Sequence, residues 1–283
     1  MENWSSKLFS KDLEAYGSSQ SNNNNKSYTK MFTTLAKVLV CWGLSYYFMN
    51  VAANVASVRS MSNVENEIMK DLGFEFVPKV QQLWLTDFFD GIMVAIMGLL
   101  LLISPSKFEV LSKILMTSTL CNFLRVTTLV STSCVDPRTS CEVVTGNIWT
   151  TVALHRCGDC MYSGHTILLA LAAISWHFYC PQFLRIVSRI AVWGLALMGG
   201  FCIISNRSHY TSDVLIAFYM TIGCWFAVNY IWSRMLCTDE CDGECKEEMC
   251  YSNNSRSGVA WRPLINESNS SNRSSSSEDR LLN

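Results

Sequence analysis

The sequence predicts an all-α, polytopic membrane protein whose six transmembrane helices pack as one bundle. Three observations predict it. The 283 residues are 49% hydrophobic, with a mean hydropathy of +0.19, high for a water-soluble domain. The apolar residues are clumped into six runs, and about 20 residues at 1.5 Å rise cross the hydrocarbon of a bilayer. Prolines stand at the ends of two runs, at Pro105 and Pro181, where a helix has to stop.

The elements follow in order. Residues 1–30 are rich in Ser, Asn and Lys, with an asparagine run from Asn22 to Asn25. They read as a disordered cytosolic tail. A cleavable signal sequence is not expected, because the first apolar run begins too far in. That run, Met31 to about Ser57, is the first span, and Lys37 near its start can snorkel to the surface. Arg59 to Gln82 is a polar loop of mixed charge. Leu83–Ser104 is the second span. Glu109 to about Ser133 is a third, interrupted by Lys113, Asn122 and Arg125. Cys134–Met161 is a loop without strong periodicity. Tyr162–Tyr179 is the fourth span. Ile186–Ser205 is the fifth, with a Gly199-Gly200 pair suited to close helix packing. Asp213–Trp232 is the sixth. Beyond Arg234 come a cysteine-rich patch and a Ser/Asn tail, again expected to be disordered. The domain plan is therefore a tail over 1–30, a six-helix catalytic domain over 31–234 and a second tail over 235–283. There is no internal repeat.

Six spans leave both termini on one side. With the termini in the cytosol, fourteen basic residues lie on that side and six on the other, as the positive-inside rule prefers. The short-loop residues Lys30, Lys107, Arg185, Arg189 and Arg234 favour the same choice. The fourth and sixth spans then both start at the lumenal or extracellular face. A net charge of −1 argues against a nucleic-acid partner.

Chemistry gathers at those two starts. His165 stands where the fourth span leaves the interface, within Cys157-Gly158-Asp159-Cys160-Met161-Tyr162-Ser163-Gly164-His165-Thr166. A histidine there titrates near neutral pH, and intramembrane ionisable groups are functional candidates by default. His209 and Asp213 precede the sixth span at i, i+4 spacing and share a helical face. A carboxylate on one imidazole nitrogen fixes the tautomer and frees the other nitrogen as a nucleophile. The plainer alternative is a helix start whose N-terminus Asp213 stabilises through the macrodipole. For His165 the plainer alternative is a polar residue at the interface. Two histidines at matching depth suit phosphoryl transfer. One takes the phosphoryl group; the other protonates the departing alkoxide and later deprotonates the incoming alcohol. Such chemistry needs cations on the phosphate oxygens. Arg207, Arg125 and Arg156 are the candidates, since the planar guanidinium donates two parallel hydrogen bonds.

Ser163-Gly164-His165 with His209 and Asp213 resembles the histidine phosphotransferase core of the type-2 phosphatidic acid phosphatases. The longer stretches Cys157–Thr166 and His209–Val214 are similar to the two signature motifs of the sphingomyelin synthase family. Asp71-Leu72-Gly73-Phe74-Glu75 resembles the first-loop motif of that family's protozoan sphingolipid synthases. The family's Pro-Leu-Pro-Asp reads Ile68-Met69-Lys70-Asp71 here, and Cys160 stands where an aromatic or aliphatic residue is usual. The resemblance spans roughly Lys70 to Val228. It implies a catalytic triad of His165, His209 and Asp213, six spans and a lumenal active site. The substrate- and phosphate-binding residues expected around the triad are Arg125, Arg156, Asp159, Ser163, Gly164, Arg207 and Tyr210.

The expected activity is transfer of a phospho-alcohol head group from a glycerophospholipid to ceramide, releasing diacylglycerol, through a phosphohistidine. The partners are these membrane lipids. A homo-oligomer is left open, and so is the compartment among Golgi, endoplasmic reticulum and plasma membrane. No cofactor or metal is expected. The competing readings are a lipid phosphate phosphatase with water as acceptor, and a six-span transporter or scaffold whose histidines sense pH. Choline, ethanolamine and inositol head groups are equally compatible with the sequence.

Other features stand apart from this core. Cys134, Cys141, Cys157 and Cys160 fall on the lumenal side, where disulfides form, and four cysteines allow three pairings. Cys237, Cys241, Cys245 and Cys250 could serve zinc, palmitoylation or neither. Asp87 and Asp90 share a face of the second span, suited to a head group or a wet vestibule. Sequons at Asn3, Asn25, Asn253, Asn266, Asn269 and Asn272 lie in the tails, and one at Asn206 sits beside His209.

Overall fold

A computed structural model of the chain describes residues 4–61, 68–80, 82–132, 134–138, 141–152, 156–181 and 185–240. The side chains of 4–28, 61, 83 and 235–240 are outside that description. Residues Met1–Met235 form one compact unit, and the second, Leu236–Asn283, lies outside the description past Glu240. The expected N-terminal tail is helical backbone from Trp4 onward, whereas the expected C-terminal tail past Glu240, with Cys241, Cys245 and Cys250 of the cysteine patch, lies outside the described residues.

Among the described residues seven helices follow one another: α1 Trp4–Met61, α2 Leu72–Phe76, α3 Leu83–Ile103, α4 Lys107–Ser131, α5 Gly164–Tyr179, α6 Arg185–Ser205 and α7 Thr211–Glu240. The only extended pairing among the described residues is an isolated parallel bridge between Glu142 and Arg156. The protein is thus all-α and polytopic. Among the described residues five helical stretches are long and apolar enough to cross a membrane: Thr29–Ser60, Trp84–Ile103, Lys107–Ser131, Arg185–Ser205 and Thr211–Arg234. Their outward faces carry large exposed apolar side chains such as Phe32, Leu102, Ile186, Ile190 and Tyr219. In water such surface would be costly; against lipid it is not.

The expected fourth span is the 16-residue α5. It starts two residues later than expected because Ser163 caps it, its hydroxyl accepting from the Thr166 N–H at 3.3 Å. It stops at Cys180, before Pro181. At 1.5 Å per residue it is about 24 Å long, short of the roughly 30 Å hydrocarbon. Its run from Leu169 to Trp176 is fully buried, packed by α3, α4 and α6 and by α7 through Trp225 on Phe178 and Tyr179. A helix sheathed by protein reads apolar on all faces and does not have to match the bilayer by its own length.

The glycine pair of α6 serves two neighbours. A Cβ on Gly199 would meet Leu169 Cδ1 of α5 at 2.7 Å, and one on Gly200 would meet Phe218 of α7 at 3.2 Å. The polar residues that interrupt the third expected span are used between helices. Asn122 donates to Ser45 Oγ at 3.2 Å and Ser118 accepts from Trp42 Nε1 at 3.2 Å, both tying α4 to α1. Lys113 donates to Glu109 and to Tyr179 of α5 at 2.7 and 2.9 Å.

Two polar segments converge on the end of the bundle where α5 and α7 begin. One, 134–162, is seated on α1. Asn54 Nδ2 donates to the carbonyls of Ile148 and Thr151, and Asn50 Nδ2 to that of Thr151. Gly158 has a φ of +75°, and a Cβ there would meet Ala56 O at 2.9 Å, so this close approach requires glycine. Cys141 and Cys157 form a disulfide, half of one of the three pairings, while Cys134 and Cys160 are buried thiols. The other segment contains α2, a helical turn within the expected loop 59–82. It runs beside the end of α6.

Candidate active site

The sequence places His165 in the first turn of α5, just after the Ser163 cap. His209 lies in the short connection between α6 and α7, and Asp213 in the first turn of α7. The Ser163 N–H points to the Asp213 carbonyl at 3.5 Å, so the two helix starts touch directly. The imidazole rings of His165 and His209 are 6.2 Å apart between centroids, inclined at 62°. His209 Nδ1 lies 3.5 Å from Asp213 Oδ2 and makes no hydrogen bond among the described residues. Catalytic hydrogen bonds are often this long without substrate. With Nδ1 turned to the carboxylate, Nε2 is the nitrogen that faces away from it. The same carboxylate also accepts from the Tyr210 N–H at 3.1 Å.

The two histidines differ in access. The His209 side chain is 6% exposed and that of His165 40%. A buried, carboxylate-held imidazole beside an accessible one suits a nucleophile and a proton carrier respectively. On the other flank, Asp90 of α3 brings Oδ2 to 3.9 Å from His165 Nε2. Asp90 Oδ1 is buried without a hydrogen-bond partner, whereas Asp87 faces outward.

Among the expected cations, Arg125 is central. It crosses from α4 to Asp159 with Nη2 2.6 Å from each carboxylate oxygen. Its guanidinium lies close against Gly164: a Cβ there would stand 2.4 Å from Nη1. Glycine at 164 is therefore what lets a cation sit next to His165. Burial alone would raise the Asp159 carboxyl, but Arg125, with His209 and Arg138 behind it, holds it below the ordinary carboxylate range.

Arg156 is anchored elsewhere, donating to both the backbone carbonyl and the side-chain oxygen of Asn50. Arg207 is turned away from the histidines. It donates to the carbonyls of Phe74 and Val77 at 2.7 and 3.0 Å and lies 4.2 Å over the Phe74 ring. Of the three arginines expected to hold phosphate, only Arg125 lies against the His165 turn. Tyr210 is buried, stacks on Phe74 and donates to the Val135 carbonyl at 2.9 Å. Burial pushes its hydroxyl up to about 12, so it stays protonated. Burial, reinforced by Asp136, Asp213 and Asp159, also pushes the Cys160 thiol well up, which makes it a packing residue rather than a nucleophile.

Sequence reasoning missed several supports. Asp136 accepts from the Gly158 N–H at 3.0 Å and pairs with Arg138 at 2.8 Å. Asn50 and Asn54, polar residues in an apolar run, hold the 134–162 segment. The i, i+4 spacing of those two asparagines was a readable sign of a polar face. The Asn206 sequon is closed structurally, since its side chain is engaged by Gln82 and Thr86. Among the described residues no group of three His, Cys, Asp or Glu is arranged to hold a metal.

Residues 156–230 match the family model described as PAP2 superfamily C-terminal. A phosphatidylethanolamine:ceramide ethanolaminephosphotransferase of Trypanosoma brucei brucei is 42% identical over 75 residues, 26% of this chain and 23% of that protein. A phosphatidylinositol:ceramide inositolphosphotransferase of Leishmania major is 40% identical over 78 residues, 28% of this chain and 23% of that protein. The Homo sapiens phosphatidylcholine:ceramide cholinephosphotransferase 1 is 40% identical over 76 residues, 27% of this chain and 18% of that protein. The resemblance read from the motifs thus holds over a segment, and the chain spans less than a quarter of the length of the relatives it matches. Their three names carry three head groups, so similarity does not choose among them.

Proposed function

We propose that this chain transfers a phospho-alcohol head group from a glycerophospholipid to ceramide. The single observation that carries the reading is the pair of imidazoles 6.2 Å apart, drawn from two helix starts, one of them facing its own carboxylate. A phosphorus about 3–3.5 Å from one nitrogen and a departing oxygen within hydrogen-bond reach of the other fit between them. The ceramide transferases that resemble residues in this chain support the choice of substrates.

His209 Nε2 attacks the phosphorus. The phosphorus–oxygen bond to the glycerol carbon breaks, and His165 gives its proton to that oxygen, so diacylglycerol leaves neutral. The head group stays on His209 as a phosphoramidate. His165, now a base, takes the proton of the ceramide primary hydroxyl. That oxygen attacks the phosphorus, the phosphorus–nitrogen bond breaks, and both histidines return to their starting forms. Asp213 holds His209 through Nδ1. Arg125, held by Asp159 and seated on Gly164, places positive charge beside the His165 turn, where charge grows on the phosphoryl oxygens.

α5 counts as a sixth crossing in this reading, both termini face the cytosol, and the site opens to the lumen or exterior. The test is a cell-free assay offering labelled ceramide with phosphatidylcholine, phosphatidylethanolamine or phosphatidylinositol. One of the three donors should give a phosphosphingolipid and diacylglycerol in equal amounts. Release of the head group to water with no ceramide product would make the chain a lipid phosphohydrolase instead.

A further inference from the structure

The segment carrying α2 is stapled along its length to the one carrying His209. The Val80 N–H donates to the Ser205 carbonyl at 3.0 Å, and Ser205 Oγ donates to the Pro78 carbonyl at 2.8 Å. Arg207 holds the α2 carbonyls as described, and Phe74 lies under Tyr210. At the end of this seam stands Asp71. Its Oδ2 accepts from the Thr211 N–H at 2.8 Å, and its Oδ1 from the Thr211 hydroxyl at 2.5 Å. The same Oδ1 caps α2 by accepting from the Phe74 N–H at 3.2 Å. Gly73 leaves the room required, since a Cβ there would fall 2.0 Å from Thr211 Oγ1.

Thr211 is the first residue of α7, two after His209 and two before Asp213. The first N–H groups of a helix have no partner within it. Here they are taken by two carboxylates. Asp213 takes the Tyr210 N–H from within the helix, and Asp71 takes the Thr211 N–H from 140 residues away. A negative charge at a helix N-terminus is favourable, so both bonds pull one way. They fix the turn that sets His209 Nδ1 against Asp213 Oδ2.

We propose that Asp71 is a positioning residue: a cap supplied in trans that holds the first turn of α7, and through it the His209–Asp213 pair, in reacting geometry. The proposal rests on the reading of His209 as nucleophile. It assigns Asp71 no contact with substrate.

The test uses the full-length purified chain in detergent, with ceramide and the active phospholipid donor. Asp71→Asn removes the charge and replaces one of the two acceptors by a donor, so either the Thr211 N–H or the Phe74 N–H loses its acceptor. The expected result is a fall in kcat of about 10-fold or more, as for a catalytic group misplaced by a fraction of an ångström, with the ceramide KM within about twofold. Thr211→Val, which deletes only the hydroxyl bond, should lower kcat by a smaller factor. The double variant should be little worse than Asp71→Asn alone, the mark of two residues acting through one contact. Glu75→Gln, exposed on the same short helix, is the control.

Hydrogen–deuterium exchange supplies a reading free of turnover: the amides at the start of α7 should exchange at least about 10-fold faster in Asp71→Asn. Losses that multiply in the double variant, a raised ceramide KM with kcat intact, or unchanged exchange would each overturn the proposal. A wild type that moves no head group to ceramide would overturn the proposed activity, and the exchange measurement would still decide the role of Asp71. Should Asp71→Asn fail to fold, Thr211→Val carries the kcat and exchange comparison alone.

Discussion

In the proposed mechanism His209 and Asp213 carry the attack, and the loss on removing either is expected to be large. Asp213→Asn keeps the side-chain shape but offers His209 Nδ1 the wrong partner; removing the orienting carboxylate of a comparable triad costs about 10⁴-fold in kcat. Steady-state transfer by purified Asp213→Asn and His209→Ala should fall by that order, far more than any loss of folded protein read by thermal unfolding. Gly164→Ala tests the cation. Its Cβ would press on Arg125 Nη1 at 2.4 Å, and displacing a charge-stabilising donor costs about 10²-fold. A variant that kept wild-type kcat would remove Arg125 from the account. Asp159 makes the pair sensitive to acid. Its folded pKa lies below its ordinary value, so the pair stabilises the fold above the ordinary carboxylate range, near pH 4. That contribution is lost as pH falls through the depressed value. Thermal unfolding followed from about pH 6 downward should show this acid loss in wild type and a smaller one in Asp159→Asn. At this scale the sequence was informative, since the histidine motifs are local. It gave no sign that Arg207 is spent on the carbonyls of Phe74 and Val77, because that role depends on a partner 130 residues or more away.

Elements bring these residues to one place, and two of them depend on covalent or steric detail. The Cys141–Cys157 disulfide closes a loop with a sequence separation of 16. Loops of that size contribute about 3 kcal/mol through the unfolded state. Cys141→Ser with Cys157→Ser should therefore lower unfolding stability by about that amount, and it should slow transfer because Gly158 and Asp159 follow directly. Equal stability with and without reductant would contradict this. Gly199 is the contact on which α5 seats. Gly199→Val pushes branched carbons toward Leu169 and Phe89, and overpacking of this kind costs about 1–3 kcal/mol. The helices themselves were readable as apolar runs, and the boundaries of α3, α4 and α6 fall within two residues of expectation. What the runs could not reveal was α2, a five-residue helix too short to show a period. Nor could they reveal the chosen disulfide, which depends on how the 134–162 segment folds back onto α1.

The described helices up to residue 235 form a bundle, and polar segments meet at the end of it where α5 and α7 begin. α5, short and enclosed, packs against α3, α4 and α6, and in the proposed topology it is the sixth crossing. Topology follows from the count: with α5 as a sixth crossing, a glycosylation tag at either terminus should remain unmodified and one placed near Thr151 should be modified. The reverse pattern would turn the site to the cytosol. The central claim is chemical, however: two imidazoles act in turn on one phosphorus. The direct measurement is an acid-avoiding quench of the enzyme with phosphorus-labelled phospholipid and no ceramide, followed by peptide mass spectrometry. The account predicts a phospho-head group on the peptide containing His209 that disappears when ceramide is added. Diacylglycerol release with no adduct on His209, or an adduct on another residue, would contradict it.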